Sequence, residues 1–214
     1  MSKGVVFDLG AGFPRAAVQP KELVSMRWSI LLCGLPQRMD QGARMPVFHK
    51  LCELSAGFRD VEVQLLYDNQ RMSTGAKRNR LVNCARGEYI SFVDDDDDVT
   101  DQYVRLIHRA LRDHPGVDLV CFNLVGPRLL TNNELRYRYH PRWRQQQTEE
   151  RFPGVQWKRP QHTSVWQRAL VRNALFSDMS RMEELQWQLE TEMMVNTYVY
   201  LDEDLYRYQM PGLD

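Results

Sequence analysis

The chain has 214 residues, of which 43% are hydrophobic, and its 28 Lys and Arg residues balance its 28 Asp and Glu residues. This length and composition predict one soluble globular domain with a sizeable core. The balanced charge excludes a strongly basic or acidic protein, so only local charge can indicate a partner. Four widely spaced cysteines without a CxxC pair predict reduced thiols. No apolar stretch has the length of a membrane span, so we expect a cytoplasmic protein with no membrane contact.

Strand and helix patterns alternate through the first 125 residues. Nearly continuous apolar runs of strand length occur at residues 28–35, 61–67, 89–93 and 117–125. Helical patterns lie between them, at residues 46–57, 76–87 and 101–112. This alternation predicts an α/β domain with a mostly parallel central sheet flanked by helices. Ligands of such sheets bind beyond the carboxyl ends of the strands.

The second part of the chain has a weaker pattern. Residues 126–160 show no sustained period and interleave eight basic residues with Tyr, Trp and Phe. Helical patterns follow at residues 162–176 and 181–195, and a closing strand is predicted at 197–201. No internal repeat or linker divides the chain, so a single domain is predicted.

The segment ISFVDDDDDVTDQYV (90–104) places five consecutive aspartates directly after an apolar strand. Neighbouring carboxylates repel by roughly 1 kcal/mol in water and by about 4 kcal/mol where solvent is partly excluded. A solvated acidic loop is one explanation, and a divalent cation with oxygen ligands is the other. Asp68 ends the preceding strand and lies on the same edge of the predicted sheet. This convergence of carboxylates favours a site for a cation and an anionic ligand.

With this spacing in view, the sequence resembles family 2 glycosyltransferases of the GT-A fold over most of residues 28–208. The most specific segment, STGAKRNRLVNCARGEYISFVDDDD, is similar to the family's stretch of Gly, Arg-Asn and Ala-x-Gly-Glu-Tyr-Ile that leads into an Asp-x-Asp motif. The resemblance implies a Rossmann-like GT-A domain with three parts. These are an N-terminal extension (1–27), a nucleotide-sugar-binding half (28–125), and an acceptor-binding and catalytic-base half (126–214).

The resemblance also implies a donor site at the aspartate run. The family's Asp-x-Asp-Asp motif falls on residues 94–97, so Asp94 and Asp95 are expected at the sugar nucleotide. Asp94 and Asp96 are expected at a Mn²⁺ or Mg²⁺ ion, which would stabilise the leaving diphosphate as a Lewis acid. A slip of one residue stays open, because a run of identical residues carries no register of its own.

Three further residues complete the implied donor site. Asp68 matches the aspartate that contacts the nucleotide base, and UDP is the family's common donor carrier. Lys77 and Arg78 are expected near the phosphates or the ribose, with a solvated helix face as the alternative.

An inverting transferase needs a base for the acceptor hydroxyl. The segment MEELQW (182–187) resembles the family's Glu-Asp pair, so Glu183 and Glu184 are the candidates, with an exposed acid pair as the alternative. The segment RPQHTSV resembles one that could turn His162 toward the diphosphate or the metal, although a lone histidine can be structural. Tyr206 and Tyr208 match a closing element and are predicted to be packing residues.

Three rival interpretations stay open. The N-terminal VVFDLGAGFPR resembles the glycine-rich loop of S-adenosylmethionine methyltransferases, but Pro14 stands where that loop needs a glycine. The basic and aromatic residues 126–160 are typical of a nucleic-acid-binding module as well as of an acceptor-binding loop. Nucleic-acid binding and acceptor binding by this stretch combine in a transferase that modifies a hydroxymethylated base in DNA, as some phage enzymes resembling this family do. Such an enzyme would act in the host cytoplasm. An inactive protein with the transferase fold is the third.

Overall fold

The structure is a computed structural model that describes residues 4–6, 25–38, 45–68, 70–128, 131–149 and 154–209. Most of the predicted N-terminal extension (1–27), including nearly all of the rival glycine-rich loop, lies outside these ranges. The three residues Gly4–Val6 form the edge strand β1, which pairs in parallel with β3.

The elements follow one another in a largely alternating order. The remaining strands are β2 (Trp28–Gly34), β3 (Val61–Tyr67), β4 (Tyr89–Phe92), β5 (Asp98–Val99), β6 (Leu119–Arg128), β7 (Thr131–Tyr139), β8 (Val155–Lys158), β9 (Val165–Gln167) and β10 (Tyr198–Arg207). The α-helices are α1 (Pro46–Ser55), α2 (Thr74–Cys84), α3 (Tyr103–Asp113), α4 (Trp143–Glu149), α5 (Arg168–Val171) and α6 (Glu184–Glu192). In the part of the chain that the structure describes, no helix is long and apolar enough to cross a membrane.

Within the described ranges, the strands form one sheet whose main path is β1-β3-β2-β4-β9-β6-β10-β5, with β7 and β8 added beside β6. Strands β1, β3, β2 and β4 are parallel neighbours, and β10 is parallel to β6. Strand β9 is antiparallel to both β4 and β6 and joins these two parallel groups. The prediction of a single α/β domain with a mostly parallel sheet flanked by helices is confirmed.

Side chains of the central strands pack into two cores on opposite faces of the sheet. Ile30 and Leu32 of β2 face the layer that contains α1 and α3, and Leu31 faces the layer that contains α2 and α6. Because both faces are covered, such a strand needs apolar residues at nearly every position. The continuous apolar runs of the sequence therefore reflect burial on both faces.

Two sequence predictions need correction. The helix predicted at 162–176 is wrong: Val165 and Trp166 pair with β6 and β4 as strand β9, and only the four-residue α5 is helical there. The apolar period of this segment comes from burial in a strand and a turn together. The second correction concerns residues 126–160, where the sequence indicated no regular element. They contain the end of β6, β7, α4 and β8.

A surface cluster near the start of β2 gives a pH-dependent prediction. Asp60 accepts hydrogen bonds from Arg27 Nε at 3.1 Å and bonds with His108 Nε2 at 2.9 Å. Burial raises the pKa of the Asp60 carboxyl, but the contacts with His108 and Arg27 lower it by more, so the pKa falls below its ordinary value of 3.8. A lowered pKa means that the carboxylate stabilises the fold fully above pH 3.8 and that this contribution is lost as the pH falls below 3.8 through the lower pKa of the folded state.

We therefore expect Asp60→Asn to lower the free energy of unfolding at pH 7 by about 1 kcal/mol, because the Arg27–Asp60 ion pair is partly exposed. The difference from the wild type should shrink as the pH is lowered toward 3, as measured by urea unfolding. Asp113→Asn, which removes the exposed partner of Arg112, serves as the control. An equal loss of unfolding free energy in Asp60→Asn at pH 7 and near pH 3 would contradict the lowered pKa of Asp60.

Candidate active site

The aspartate run lies at the carboxyl edge of the parallel strands. Strands β2 and β3 end side by side, with Gly34 opposite Tyr67, and β4 runs parallel to β2 on its other side. The backbone N–H of Leu35, just after β2, donates to Asp95 Oδ2 at 2.7 Å. This bond ties the loop after β4 to the end of β2.

Asp94 is the centre of this loop. Its Oδ1 accepts from Arg78 Nη2 at 2.8 Å, and its Oδ2 lies 3.3 Å from His162 Nε2. Burial raises the pKa of the Asp94 carboxyl, but the neighbouring Arg78 and His162 lower it by more, so the pKa lies well below its ordinary range. The two basic neighbours therefore favour the ionised form of Asp94.

Arg78 joins Asp94 to the acid pair on the other side of the site. Its Nη1 lies 3.0 Å from Glu183 Oε1, while its Nη2 holds Asp94. Arg78 and Glu183 are both 4% exposed, so these charges are buried together. The alternative interpretation of Glu183 and Glu184 as an exposed acid pair is therefore wrong for Glu183. Glu184 is half-buried in the first turn of α6.

A second arrangement of buried polar groups holds Asp97. The Tyr206 hydroxyl donates to Asp97 Oδ2 at 2.7 Å and accepts from the backbone N–H of Asp94 at 3.0 Å. The backbone N–H of Gln209 donates to Asp97 Oδ1 at 2.8 Å. Burial and the nearby Asp94 raise the pKa of Asp97 to about 7. Tyr206 is buried as predicted, but it also organises the aspartate loop, which its match to a closing tyrosine element did not reveal.

The other aspartates of the run differ in their surroundings. Asp98 pairs with Lys50 at 3.0 Å, and Asp96 is half-buried. Asp95 and Asp97 are 8% and 5% exposed. The interpretation of the run as a solvated acidic loop is therefore wrong for these two carboxylates, which are buried and whose desolvation is offset by hydrogen bonds.

Lys77 and Asp68 form a buried pair at the end of β3. Lys77 Nζ lies 2.9 Å from Asp68 Oδ1 and donates to the carbonyl oxygen of Gly34 at 3.2 Å. Burial raises the pKa of Asp68, but Lys77 and the N–H of Met72 lower it by more. Lys77 is 1% exposed and Arg78 4%, so the solvated helix face proposed as an alternative for them is wrong.

The residues at the rim fit a divalent ion that shares its coordination with a ligand. In the described ranges, no group of three or more His, Cys, Asp or Glu side chains is arranged to hold a metal ion. Asp94 is close to His162, and Asp96 lies two residues further along the same turn. Mg²⁺ is usually bound by one or two carboxylates together with substrate phosphates. The carboxylates at the rim thus fit a metal ion that is completed by a diphosphate.

Three of the eight basic side chains of residues 126–160 form ion pairs within the described part of the molecule. Arg136 contacts Asp204, Arg138 lies 3.6 Å from Asp202, and Arg159 lies 3.4 Å from Glu192. Tyr139 and Trp157 of the same stretch are both buried. Internal pairing reduces the charge that could attract phosphates, so the hypothesis of DNA binding through this stretch stays a prediction that these contacts do not favour.

A family comparison gives the class of the protein. The model described as glycosyl transferase family 2 matches residues 49–178, which is more than half of the 214-residue chain and includes the aspartate run. The chain belongs to glycosyl transferase family 2, as the resemblance in its sequence implied. A search of curated protein sequences finds no match.

Solved structures show the same fold at low sequence identity. Residues 1–349 of S. aureus TarS in complex with UDP-GlcNAc align with a TM-score of 0.58 and 12% identity, covering 88% of this chain and 60% of that chain. A longer TarS structure aligns with a TM-score of 0.56 and 14% identity, and this chain spans only 37% of its length. Glucosyl-3-phosphoglycerate synthase from Mycobacterium tuberculosis, in complex with Mn²⁺, UDP and glucosyl-3-phosphoglycerate, aligns with a TM-score of 0.53 and 12% identity, covering 88% of this chain and 74% of that chain. These likenesses confirm the GT-A fold.

Proposed function

We propose that the protein is a metal-dependent, inverting glycosyltransferase that moves a sugar from a nucleoside diphosphate to an acceptor hydroxyl. The observation that carries the proposal is the Arg78 bridge, which joins the Asp94 carboxylate after β4 to the Glu183 carboxylate at the start of α6. Donor-side and acceptor-side groups must meet in this way for direct transfer of a sugar.

The donor is proposed to lie along the carboxyl ends of β2, β3 and β4. Asp68 would accept a hydrogen bond from the nucleotide base, while Lys77 keeps it ionised from 2.9 Å. Asp94 and Asp95 would contact the sugar nucleotide. UDP is the proposed carrier because the TarS and synthase structures contain UDP or UDP-GlcNAc, although Asp68 could also bind other bases.

Charge stabilisation at the leaving diphosphate is the main chemical requirement of this reaction. A Mn²⁺ or Mg²⁺ ion held by Asp94 and Asp96, with His162 beside them, would supply a Lewis acid there. Arg78 lies beside Asp94 and would orient that carboxylate as the diphosphate departs. Among the residues that the structure describes, His162 Nδ1 is buried without a hydrogen-bond partner.

Glu184 is proposed as the base that takes the proton of the acceptor hydroxyl. Glu183 is buried and paired with Arg78, so its carboxylate is already engaged. Glu184 follows it directly, is less buried, and lies in the first turn of α6. Glu183 then serves to hold the start of α6 against α2.

The test is a thermal-shift screen of UDP, GDP, CDP and TDP, each with and without Mn²⁺. We expect a metal-dependent shift for one nucleotide, since a ligand at about a hundred times its Kd adds roughly 2.7 kcal/mol to the free energy of unfolding. Asp96→Asn should lose the metal-dependent part. Asp101→Asn, an exposed aspartate beside the run, is the matched control and should keep it.

Two results would count against the proposal. If no nucleotide shifts the wild type, the protein does not bind a nucleoside diphosphate donor. If Asp96→Asn keeps the full metal-dependent shift, Asp96 is not a metal ligand.

A further inference from the structure

Helix α2 does more than carry Lys77 and Arg78. The side chain of Asn79, one residue further along α2, bonds to the backbone of Phe176 in both directions. Its Nδ2 donates to the Phe176 carbonyl oxygen at 2.9 Å, and its Oδ1 accepts from the Phe176 N–H at 2.9 Å. This reciprocal pair of hydrogen bonds holds the backbone on both sides of the Phe176 Cα in place.

The Phe176 ring in turn lies against side chains from three elements around the site. Its ring stacks on Trp187 of α6, with centroids 4.8 Å apart and planes at 10°. The same ring lies edge-on to Phe92, which ends β4 just before the aspartates, at 5.5 Å. The guanidinium of Arg78 lies 5.5 Å from its centroid. A shift of Phe176 would therefore move α6 relative to β4 and Arg78.

The segment that follows Phe176 leads directly to the acid pair. The N–H of Ser177 donates to the carbonyl oxygen of Glu183 at 3.1 Å, and the N–H of Gly75 donates to that of Met179 at 3.0 Å. Met182, which precedes Glu183, has a φ of 60°, a left-handed conformation that costs energy for a residue with a side chain. Such a conformation persists only where surrounding contacts impose it.

From these contacts we infer that Asn79 is a positioning residue for transfer: by clamping the Phe176 peptide, it sets Glu183 and Glu184 against the donor carboxylate Asp94. Asn79 reaches the acid pair only through residues 176–183, and it has no part in binding the donor. This inference rests on the proposed function. It predicts that loss of the Asn79 hydrogen bonds lowers turnover and leaves donor binding unchanged.

The experiment compares Asn79→Ala and Asn79→Asp with Asn83→Ala, an exposed asparagine one turn further along α2. Three quantities are measured on the full chain: affinity for UDP with Mn²⁺, kcat and KM for hydrolysis of UDP-GlcNAc, and hydrogen exchange of residues 176–186. In Asn79→Ala we expect unchanged UDP affinity and KM, a kcat lower by about a hundredfold, and faster exchange in that segment alone. Asn79→Asp, which keeps the acceptor for the Phe176 N–H, should recover part of kcat.

The outcomes separate this inference from the proposed function. A wild type that neither binds UDP nor hydrolyses the donor contradicts the proposed function, and local exchange then still tests the clamp. Exchange and kcat in Asn79→Ala equal to those of Asn83→Ala overturn the inference. A parallel loss of UDP affinity, kcat and protection throughout the chain also overturns it, because the role is then only structural. If Asn79→Ala does not fold, Asn79→Asp decides by the same comparison.

Discussion

Replacing Arg78 with alanine should lower the free energy of unfolding by about 3–5 kcal/mol, because it leaves the buried carboxylate of Glu183 and the half-buried carboxylate of Asp94 without their shared cation. The two carboxylates would then repel each other across the space that the guanidinium filled. Urea unfolding at pH 7 measures the loss. Donor hydrolysis should fall as well, since Asp94 and the start of α6 are no longer held together.

Two further variants make the Arg78 prediction specific. Arg80→Ala, on the exposed side of α2, should leave stability within about 0.5 kcal/mol of the wild type. Arg78→Lys keeps the charge but cannot hold two carboxylates with a planar fork, so it should lie between the wild type and Arg78→Ala. A stable Arg78→Ala protein with normal turnover would show that the bridge is dispensable.

The second large effect is expected at Gly75, in the first turn of α2. A Cβ at this position would lie 1.8 Å from the carbonyl oxygen of Ser177 and 3.2 Å from Glu183 Cβ. The first of these contacts is with the backbone, so a rotamer change cannot relieve it. Gly75→Ala should therefore push residues 177–183 away from α2. We expect a cost of about 1–3 kcal/mol in the free energy of unfolding and a drop of about a hundredfold in kcat.

Gly57 offers the matched control for Gly75. It follows α1, and a Cβ there would meet nothing within 4 Å. Gly57→Ala should match the wild type in both thermal unfolding and turnover. Equal behaviour of Gly75→Ala and Gly57→Ala would mean that the close approach of α2 and Ser177 does not position the acid pair.

The sequence predicted the elements whose signal is local. Strands β2, β3 and β4 are continuous apolar runs, and α1, α2 and α3 follow a helical period, so each lies within a few residues of its predicted bounds. The position of Asp94 follows from the same pattern, because a residue that ends a parallel strand must lie at its carboxyl edge. The sequence could therefore predict the position of Asp94 from local patterns alone.

The contacts that assemble the site could not be predicted in this way. Asn79 meets Phe176 across 97 residues, and Tyr206 meets Asp97 across 109. Neither pair has a local signal, because periodicity reports which face of an element is buried and says nothing about its distant neighbour. Strand β9 was missed for a related reason: its three residues are too few to show a strand period against the helix-like spacing of the longer segment around them.

The Tyr206 hydroxyl also sets the order in which the site can form during synthesis. Asp94 and Asp97 leave the ribosome about a hundred residues before Tyr206, the residue that contacts both. Until β10 has emerged and paired with β5 and β6, the aspartate loop lacks this contact. A nascent chain that ends before residue 206 should therefore be unable to hold a donor, whatever the state of its first strands. Donor binding then reports that a chain has been translated through β10, and a ribosome-stalled series ending on either side of that strand would show the step.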